Sequence, residues 1–444
     1  MAKLFQDKFV IRKSDNRLYY HKTVEIPEGT DRVIVRYDYY PVKIPGKEWE
    51  NEIDLVLTDS KGDIGTRGHA VREVEISEYY APTGYEPRKP EGVWDVIFGA
   101  GRMIGDEVTV EFELEFIEKE RRFYAGDTHC HTNNSDGSFT YDEIADKAQK
   151  KGLEFLIMTD HNRTVLGSLP MRKGLTMIYG VELTYPTGHS NLWGVHKPYS
   201  GSFVAETLEE WKQKRDEARR NGALVSINHP LCTKCPWKWS LEGLEEDCVE
   251  VWNGAMRPDN QRCIEWWHSR LVNGEKLPMV GGSDYHRDYV VTDFLGSPVT
   301  YVLAESRSPE DILKAIKEGR TSVSDKIGDT FIDMTCGEAR LGDTVPFTGS
   351  ETVKVSVRKL RRNHTLYIKD AEGVMYEYTA KKTGDFEVEV PVRSKGFVRA
   401  EVKTNYKGVK LLLLNLALYL MMREQAFKPM PEFTYALTAP IYFD

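Results

Sequence analysis

Hydrophobic and polar positions along this chain fall into three rhythms. From residue 1 to about 118 the pattern alternates. In "EVTVEFELEF" (107–116) Val108, Val110, Phe112, Leu114 and Phe116 share one face, with Glu and Thr on the other. That period of two predicts a half-buried antiparallel strand. "LYYHKTVEI" and "DRVIVRYDYY" read the same way, and turn-rich stretches such as "APTGYEPRKPEG" separate later strands. A small β-sandwich is the expected closure. The charged run "EKERR" (118–122) marks its end.

From about 119 to 325 strands and helices alternate. Thr140 with Glu143, and Thr207 with Glu210, form capping boxes, with Gly152 and Gly222 at the matching C-terminal ends. Ser308 before Pro309 opens a third helix that stops at Gly319. The apolar segments "LEFLIMT", "LTMIYGV", "NLWGV", "ALVSIN", "DCVEVW", "LPMVGG" and "VTYVLA" lie between them. Repeated βα units predict a parallel sheet or barrel. From about 326 to 444 the pattern alternates again, as in "TVKVSVRKL", "DFEVEVPV" and "FVRAEVKT". The expected organisation is therefore a β domain over 1–118, an α/β barrel over 119–325 and a second β domain over 326–444.

Composition narrows the function classes. The net charge of −9 argues against a nucleic-acid-binding surface. The N-terminus lacks the apolar core of a signal peptide. The longest apolar run, "LLLLNLALYLMM" (411–422), is too short to span a bilayer and reads as a buried helix or an oligomer contact, such as a homo-oligomer would use. The six cysteines have no framework spacing, so the cytoplasm is the default. Cys232 and Cys235 form one CxxC with no second pair, which favours a structural role without a catalytic part.

Chemistry concentrates in the central segment. Of eleven histidines, only His21, His69 and His364 lie outside 129–286. His129 and His131, two apart on an extended strand, would present both imidazoles to one point. Asp136 follows five residues later. Asp160 and His161 come just past one apolar segment, Glu182 past the next, His189 before "NLWGV" in an inter-strand turn, His229 past "ALVSIN", and Asp284 and His286 past "LPMVGG". In a βα barrel the carboxyl ends of the strands meet at one face, which holds the active site. Six histidines with Glu182, Asp136 and Asp284 are too many for one tetrahedral ion and would suit two or three.

The ordered set "DTHCHTNNSDG", "LIMTDHN", "GVELT", "GHSNLWGV", "INHP" and "GGSDYH" resembles the polymerase-and-histidinol-phosphatase (PHP) family of metal-dependent phosphoesterases. The flanking β regions, with the chain end "ALTAPIYFD", resemble its carbaryl-hydrolase-type (CehA/McbA-like) branch. The resemblance implies a distorted seven-stranded (βα) barrel with up to three divalent ions (Zn, Mn or Fe). By motif, the first ion would take His129, His131, Glu182 and Asp284. Glu182 would bridge to a second, held by His189 and His229. The third would take Asp136, His161 and His286, although some relatives have a histidine where this chain has Asp136.

An activated water between two ions would then serve as nucleophile without a dedicated protein base. Asp160 and His196 are further catalytic candidates; His196, His268 or a water on the metal could protonate the leaving group. Arg163 and Arg287 could clamp a phosphate or be ordinary loop arginines. Asn253 and Arg257 follow another strand end and are substrate candidates. Trp193, Trp237, Trp239 and Trp252 could wall the pocket, with core packing the commoner role for each. Three functions are carried forward: a phosphoester hydrolase acting on a small molecule, a hydrolase of a carbamate, amide or carboxylic ester, and a binding scaffold acting through its β domains.

Overall fold

The computed structural model describes residues 3–288, 293–422, 430 and 432–444. The chain divides into two compact units, Met1–Arg121 with Met171–Lys173, and Arg122–Pro170 with Gly174–Asp444.

The first unit contains two four-stranded antiparallel sheets. One runs Lys3–Arg12, Glu107–Glu118, Thr30–Tyr40, Glu73–Ser77; the other Tyr19–Glu25, Val93–Arg102, Glu52–Asp59, Gly62–Thr66. The alternating face expected at 107–116 is buried: Val108, Val110, Phe112, Leu114 and Phe116 share one core with Leu55, Val96 and Phe98 of the second sheet. Burying one face of each sheet against the other removes their apolar surface from water, which is what makes a sandwich stable.

In the second unit the metal-motif segment forms two arcs of strand. In the first, Phe155–Met158 lies parallel between Thr176–Ile178 and Arg122–Cys130, and Val299–Ala304 and Thr321–Ser324 follow antiparallel. The second runs Gly180–Tyr185, Gly188–Trp193, Leu224–Asn228, Cys248–Asn253, Met279–Gly282. Strict βα alternation fails at the Gly180–Tyr185/Gly188–Trp193 hairpin, where two intervening residues leave no room for a helix. The last three strands of that arc are parallel, with helices Leu208–Arg220 and Pro258–Val272 among the connections. The structure is thus mixed α/β, mostly strand. In place of one continuous hydrogen-bonded barrel, single bridges connect the arcs, Cys130 to Tyr285 and His161 to Glu182.

The three predicted helix starts are present as read. Thr140 and Thr207 close their capping boxes and Ser308 caps Pro309–Lys317. The C-terminal strands share a unit with the central segment, because Thr321–Ser324 pairs directly with Glu432–Thr438. The apolar run at 411–422 is helical within Gly408–Met422, but it is not a buried helix. Leu411 and Leu414 pack on the core while Val409, Leu412, Leu413, Leu416 and Leu420 are exposed. A helix apolar all round has no polar face to offer solvent. Among the described residues no helix is long and apolar enough to cross a membrane.

Candidate metal centre

The two arcs are stitched together at the place where the polar residues gather. Asp284 N donates to the His129 carbonyl at 2.8 Å, His131 N to the Tyr285 carbonyl at 2.9 Å, and Asn162 N to the Glu182 carbonyl at 2.8 Å. Buried Asp127 accepts from His129 N at 3.2 Å and Ser283 N at 2.9 Å, tying the strand that carries one histidine to the loop that carries Asp284. Gly282 is required there: a Cβ would lie 2.4 Å from His129 Cβ and 2.6 Å from a Glu250 carboxylate oxygen. His229 and Asp284 both adopt left-handed backbone, at φ 30 and 51. Such conformations cost energy in non-glycine residues and persist where the surroundings impose them, typically at functional sites.

Around Glu182, ligand-type atoms from five elements converge. Its Oε1 lies 3.3 Å from His129 Nε2, 3.2 Å from His189 Nδ1 and 3.5 Å from His229 Nε2. Its Oε2 lies 3.5 Å from His131 Nε2 and 2.8 Å from His161 Nδ1. Asp284 Oδ1 is 3.5 Å from His129 Nε2 and 3.0 Å from His131 Nε2. His286 Nε2 and His161 Nε2 reach Asp136 Oδ1 at 3.2 and 3.6 Å. All nine residues expected as ligands therefore come together.

Their spacing fits divalent ions. Metal–nitrogen and metal–oxygen bonds of about 2.1 Å give ligand–ligand edges of about 3.0 Å in an octahedron and about 3.4 Å in a tetrahedron. Moreover, His129 Nε2, His131 Nε2, Glu182 Oε2 and Asp284 Oδ1 are buried with no hydrogen-bond partner. An unpaired buried polar atom is costly, and four aimed at one another would be compensated by a shared cation. Among the described residues the groups that could hold one are His129, His131 and Glu182; His131, Asp136, His161 and His286; His189, His229 and Cys235; and His129, His229 and Glu250.

The electrostatics agree. Burial works to keep the His129 ring neutral, but Glu250, Glu182 and Asp284 outweigh it and lift its pKa well above the usual histidine value. His161 and His229 are raised too, against burial, mainly by Glu182. Burial favours the neutral acid at Glu182 and Asp284, yet the facing histidines hold both well below the carboxylate range. His131 is the exception, brought down to about 4 by burial. The carboxylates thus demand positive charge, which ions can supply while leaving the imidazoles neutral.

The strand-end segment that carries Asp284 and His286 falls within residues 269–321, which match the family model described as PHP-associated. None of the curated proteins matches the chain. Among solved structures, it is similar to a two-domain protein from Bacteroides vulgatus containing a predicted PHP-like metal-dependent phosphoesterase, with 20% identity over 63% of this chain and 90% of that one and a TM-score of 0.40. A structure described as a putative metal-dependent phosphoesterase, from Bifidobacterium adolescentis, gives 15% identity over 38% of this chain and 90% of that one, with a TM-score of 0.27. An amidohydrolase from Chromobacterium violaceum, with bound sulfate and no metal, gives 14% over 36% and 87%, with a TM-score of 0.25.

Several residues have roles other than those expected. Both Asp160 oxygens are occupied by Thr132 N (2.7 Å), Thr132 Oγ1, Ser135 Oγ and Tyr141 OH (2.8 Å each). Asp160 therefore pins the loop that bears His131 and Asp136 and is not turned into the cluster. His196 directs Nε2 to the Val165 carbonyl at 2.9 Å and packs on Tyr179, away from the ligands. His268 accepts from Arg399 Nε at 3.0 Å, and burial with Arg399 lowers its pKa to about 4, so it serves the C-terminal sheet. Arg163 is exposed beside His161. Arg287, also exposed, touches the Asp136 carbonyl at 3.5 Å. Trp193 and Trp252 are core residues, and Trp237 packs on Trp211 and Trp239.

Three participants were missed. Glu250 Oε1 sits 3.0 Å from His129 Nδ1, Asn228 Nδ2 donates to Glu182 Oε1 at 2.8 Å, and Cys235 Sγ lies 3.7 Å from His229 Nδ1. A lone glutamate inside the apolar run "CVEVW" was the available signal for the first. Cys232 and Cys235 also line a cavity of about 280 Å³ together with Lys234, Arg257, Asp284 and His286.

Proposed function

We propose that this chain is a metal-dependent hydrolase that cleaves phosphoester bonds of a small substrate. The observation that carries the reading is the convergence of orphaned buried imidazole and carboxylate atoms at coordination-shell spacing. His129, His131, Glu182 and Asp284 would hold one ion, Glu182 with His189 and His229 a second, and Asp136, His161 and His286 a third. The mixed imidazole–carboxylate set suits zinc, manganese or iron(II). When bound, such ions supply an activated water near neutral pH and polarise the bond under attack.

The chain's own side chains do the rest. Glu250 accepts a hydrogen bond from His129 Nδ1–H and so turns Nε2 inward, a carboxylate–histidine arrangement that orients the ring and raises its basicity. Asn228 fixes Glu182. Arg257 is buried in the cavity wall with its Nη atoms on Asn253 and its Nε 3.7 Å from Asp259 Oδ2. Lys234 lines the same cavity and adds positive charge that suits an anionic substrate group, and the cavity's volume favours a small molecule. The resemblance to the carbaryl-hydrolase-type branch keeps carbamates in the test.

That test is hydrolysis of bis-p-nitrophenyl phosphate, p-nitrophenyl acetate and an aryl carbamate after chelation and re-addition of Mn²⁺ or Zn²⁺. Metal-dependent turnover of the phosphodiester above the other two supports the proposal. Preference for the acetate or carbamate would replace the bond while keeping the site, and no turnover of any of the three would favour a binding role for the β regions.

A further inference from the structure

The segment Pro230–Trp237 wraps the edge of the cluster without belonging to the expected ligand set. It is tied at several points: Cys232 N donates to the His229 carbonyl at 2.9 Å and Trp237 N to the Pro230 carbonyl at 2.9 Å. Thr233 donates through N and Oγ1 to Asp259 at 2.9 and 2.6 Å. The tie-points bring Cys232 Sγ and Cys235 Sγ to 3.2 Å. Both sulfurs line the cavity that also exposes Asp284 and His286. Cys235 Sγ faces Nδ1 of His229, the ring whose Nε2 faces Glu182. Elsewhere, Cys130, Cys248 and Cys263 are buried and Cys336 is half-buried, and all are free thiols.

We infer that Cys232 and Cys235 form a reversible disulfide site, oxidised by a small hydroperoxide entering the cavity, whose state sets how firmly His229 holds its ion. The second half rests on the reading of His189 and His229 as an ion-holding pair. In the thiol state, His229 offers Nε2 to the ion and its Nδ1–H donates to the Cys235 sulfur. Cys235 is a positioning residue, acting through the ring.

In oxidation the Cys232 sulfur attacks one peroxide oxygen and the O–O bond breaks, leaving a sulfenic acid and one water. The Cys235 sulfur then attacks the Cys232 sulfur; the S–O bond breaks and a second water leaves. Two thiols lose two electrons and two hydrogens, and hydrogen peroxide becomes two waters. A disulfide sulfur is a weaker acceptor for the imidazole N–H, so the ring loses its anchor. Loss of an outer partner of this kind weakens metal binding about 10–100-fold.

The test uses the reduced full chain loaded with zinc and treated with equimolar hydrogen peroxide. Peptide mapping should show loss of two hydrogens between Cys232 and Cys235, reversed by dithiothreitol, with Cys336 still open to alkylation. Equilibrium dialysis should show one zinc equivalent bound about 10–100-fold more weakly, restored on reduction. The variant Cys235→Ser keeps an acceptor for the ring, so its zinc affinity should stay unchanged by peroxide. Free thiols after peroxide, or a disulfide with unchanged zinc affinity, would overturn the inference. So would peroxide-induced zinc loss in Cys235→Ser, since it would place the oxidation elsewhere. If the reduced chain binds no zinc at all, the ion-holding reading fails and takes the coupling with it, while the peptide map still reports on the disulfide independently.

Discussion

Glu250 decides which nitrogen of His129 faces the cluster. Its carboxylate sits on Nδ1, so Nε2 is left for Glu182 and Asp284. Replacing it by Gln keeps the shape and removes the charge. We expect Glu250→Gln to weaken metal binding about 10–100-fold with the fold intact, measured by zinc competition and circular dichroism; an unchanged affinity would make Glu250 a bystander. On the motif assignment the third position has three residues, Asp136, His161 and His286, against four for the first, with His131 within reach of both. Asp136→Ala should therefore cost one ion and lower turnover, whereas Glu182→Ala, which removes the shared carboxylate, should cost two; elemental analysis of both variants checks this. If Asp136→Ala keeps every ion and full activity, Asp136 is a turn residue. At this scale the convergence of the candidate ligands was legible because they lie at or near strand ends in a recognisable order. Asp160 and His196 show the limit, since nearness to a strand end does not say where a side chain turns. Asn228 and Cys235 were illegible because their roles depend on approach across the fold.

Among elements, the short strand Met279–Gly282 is tightly constrained, because its last glycine lets His129 and Glu250 pass against its backbone. Gly282→Ala should destabilise the unit by about 1–3 kcal/mol through overpacking and reduce metal content, read by thermal melting and elemental analysis; a stable, fully loaded variant would contradict the close approach. The strand Gly396–Asn405 carries the second test. Burial opposes ionisation of Glu401, but Arg399, Lys403 and Lys369 outweigh it and hold its pKa well below 4.5. A depressed carboxylate pKa contributes stability above the unfolded value and loses it as pH falls toward the folded one. Glu401→Gln should cost about 3–5 kcal/mol at neutral pH, because it leaves the buried Arg399 uncompensated. The difference from the parent should shrink below about pH 4.5 in denaturant titrations; a pH-independent difference would count against the ion cluster. Capped helices and alternating strands were legible here because their signals are local. The Gly180–Trp193 hairpin was legible only as a turn between strands, because periodicity gives a strand but not its direction, and His189 lies within the second strand, not in the turn.

For the whole molecule, the sequence marks the junction near residue 121 through a change of rhythm and a charged run. It does not mark the continuity of the C-terminal strands with the central sheet, since pairing between Thr321–Ser324 and Glu432–Thr438 leaves no trace in local pattern. Both arcs are needed at the site: one supplies His129 and His161, the other Glu182, His189 and the strand end before His229, and hydrogen bonds at His129, His131 and Asn162 join them. We propose that divalent ions hold this junction. Elemental analysis of the full chain, purified without exposure to chelator, should find at least about two equivalents of transition metal, removed by chelation together with activity; less than about one equivalent would contradict the proposal.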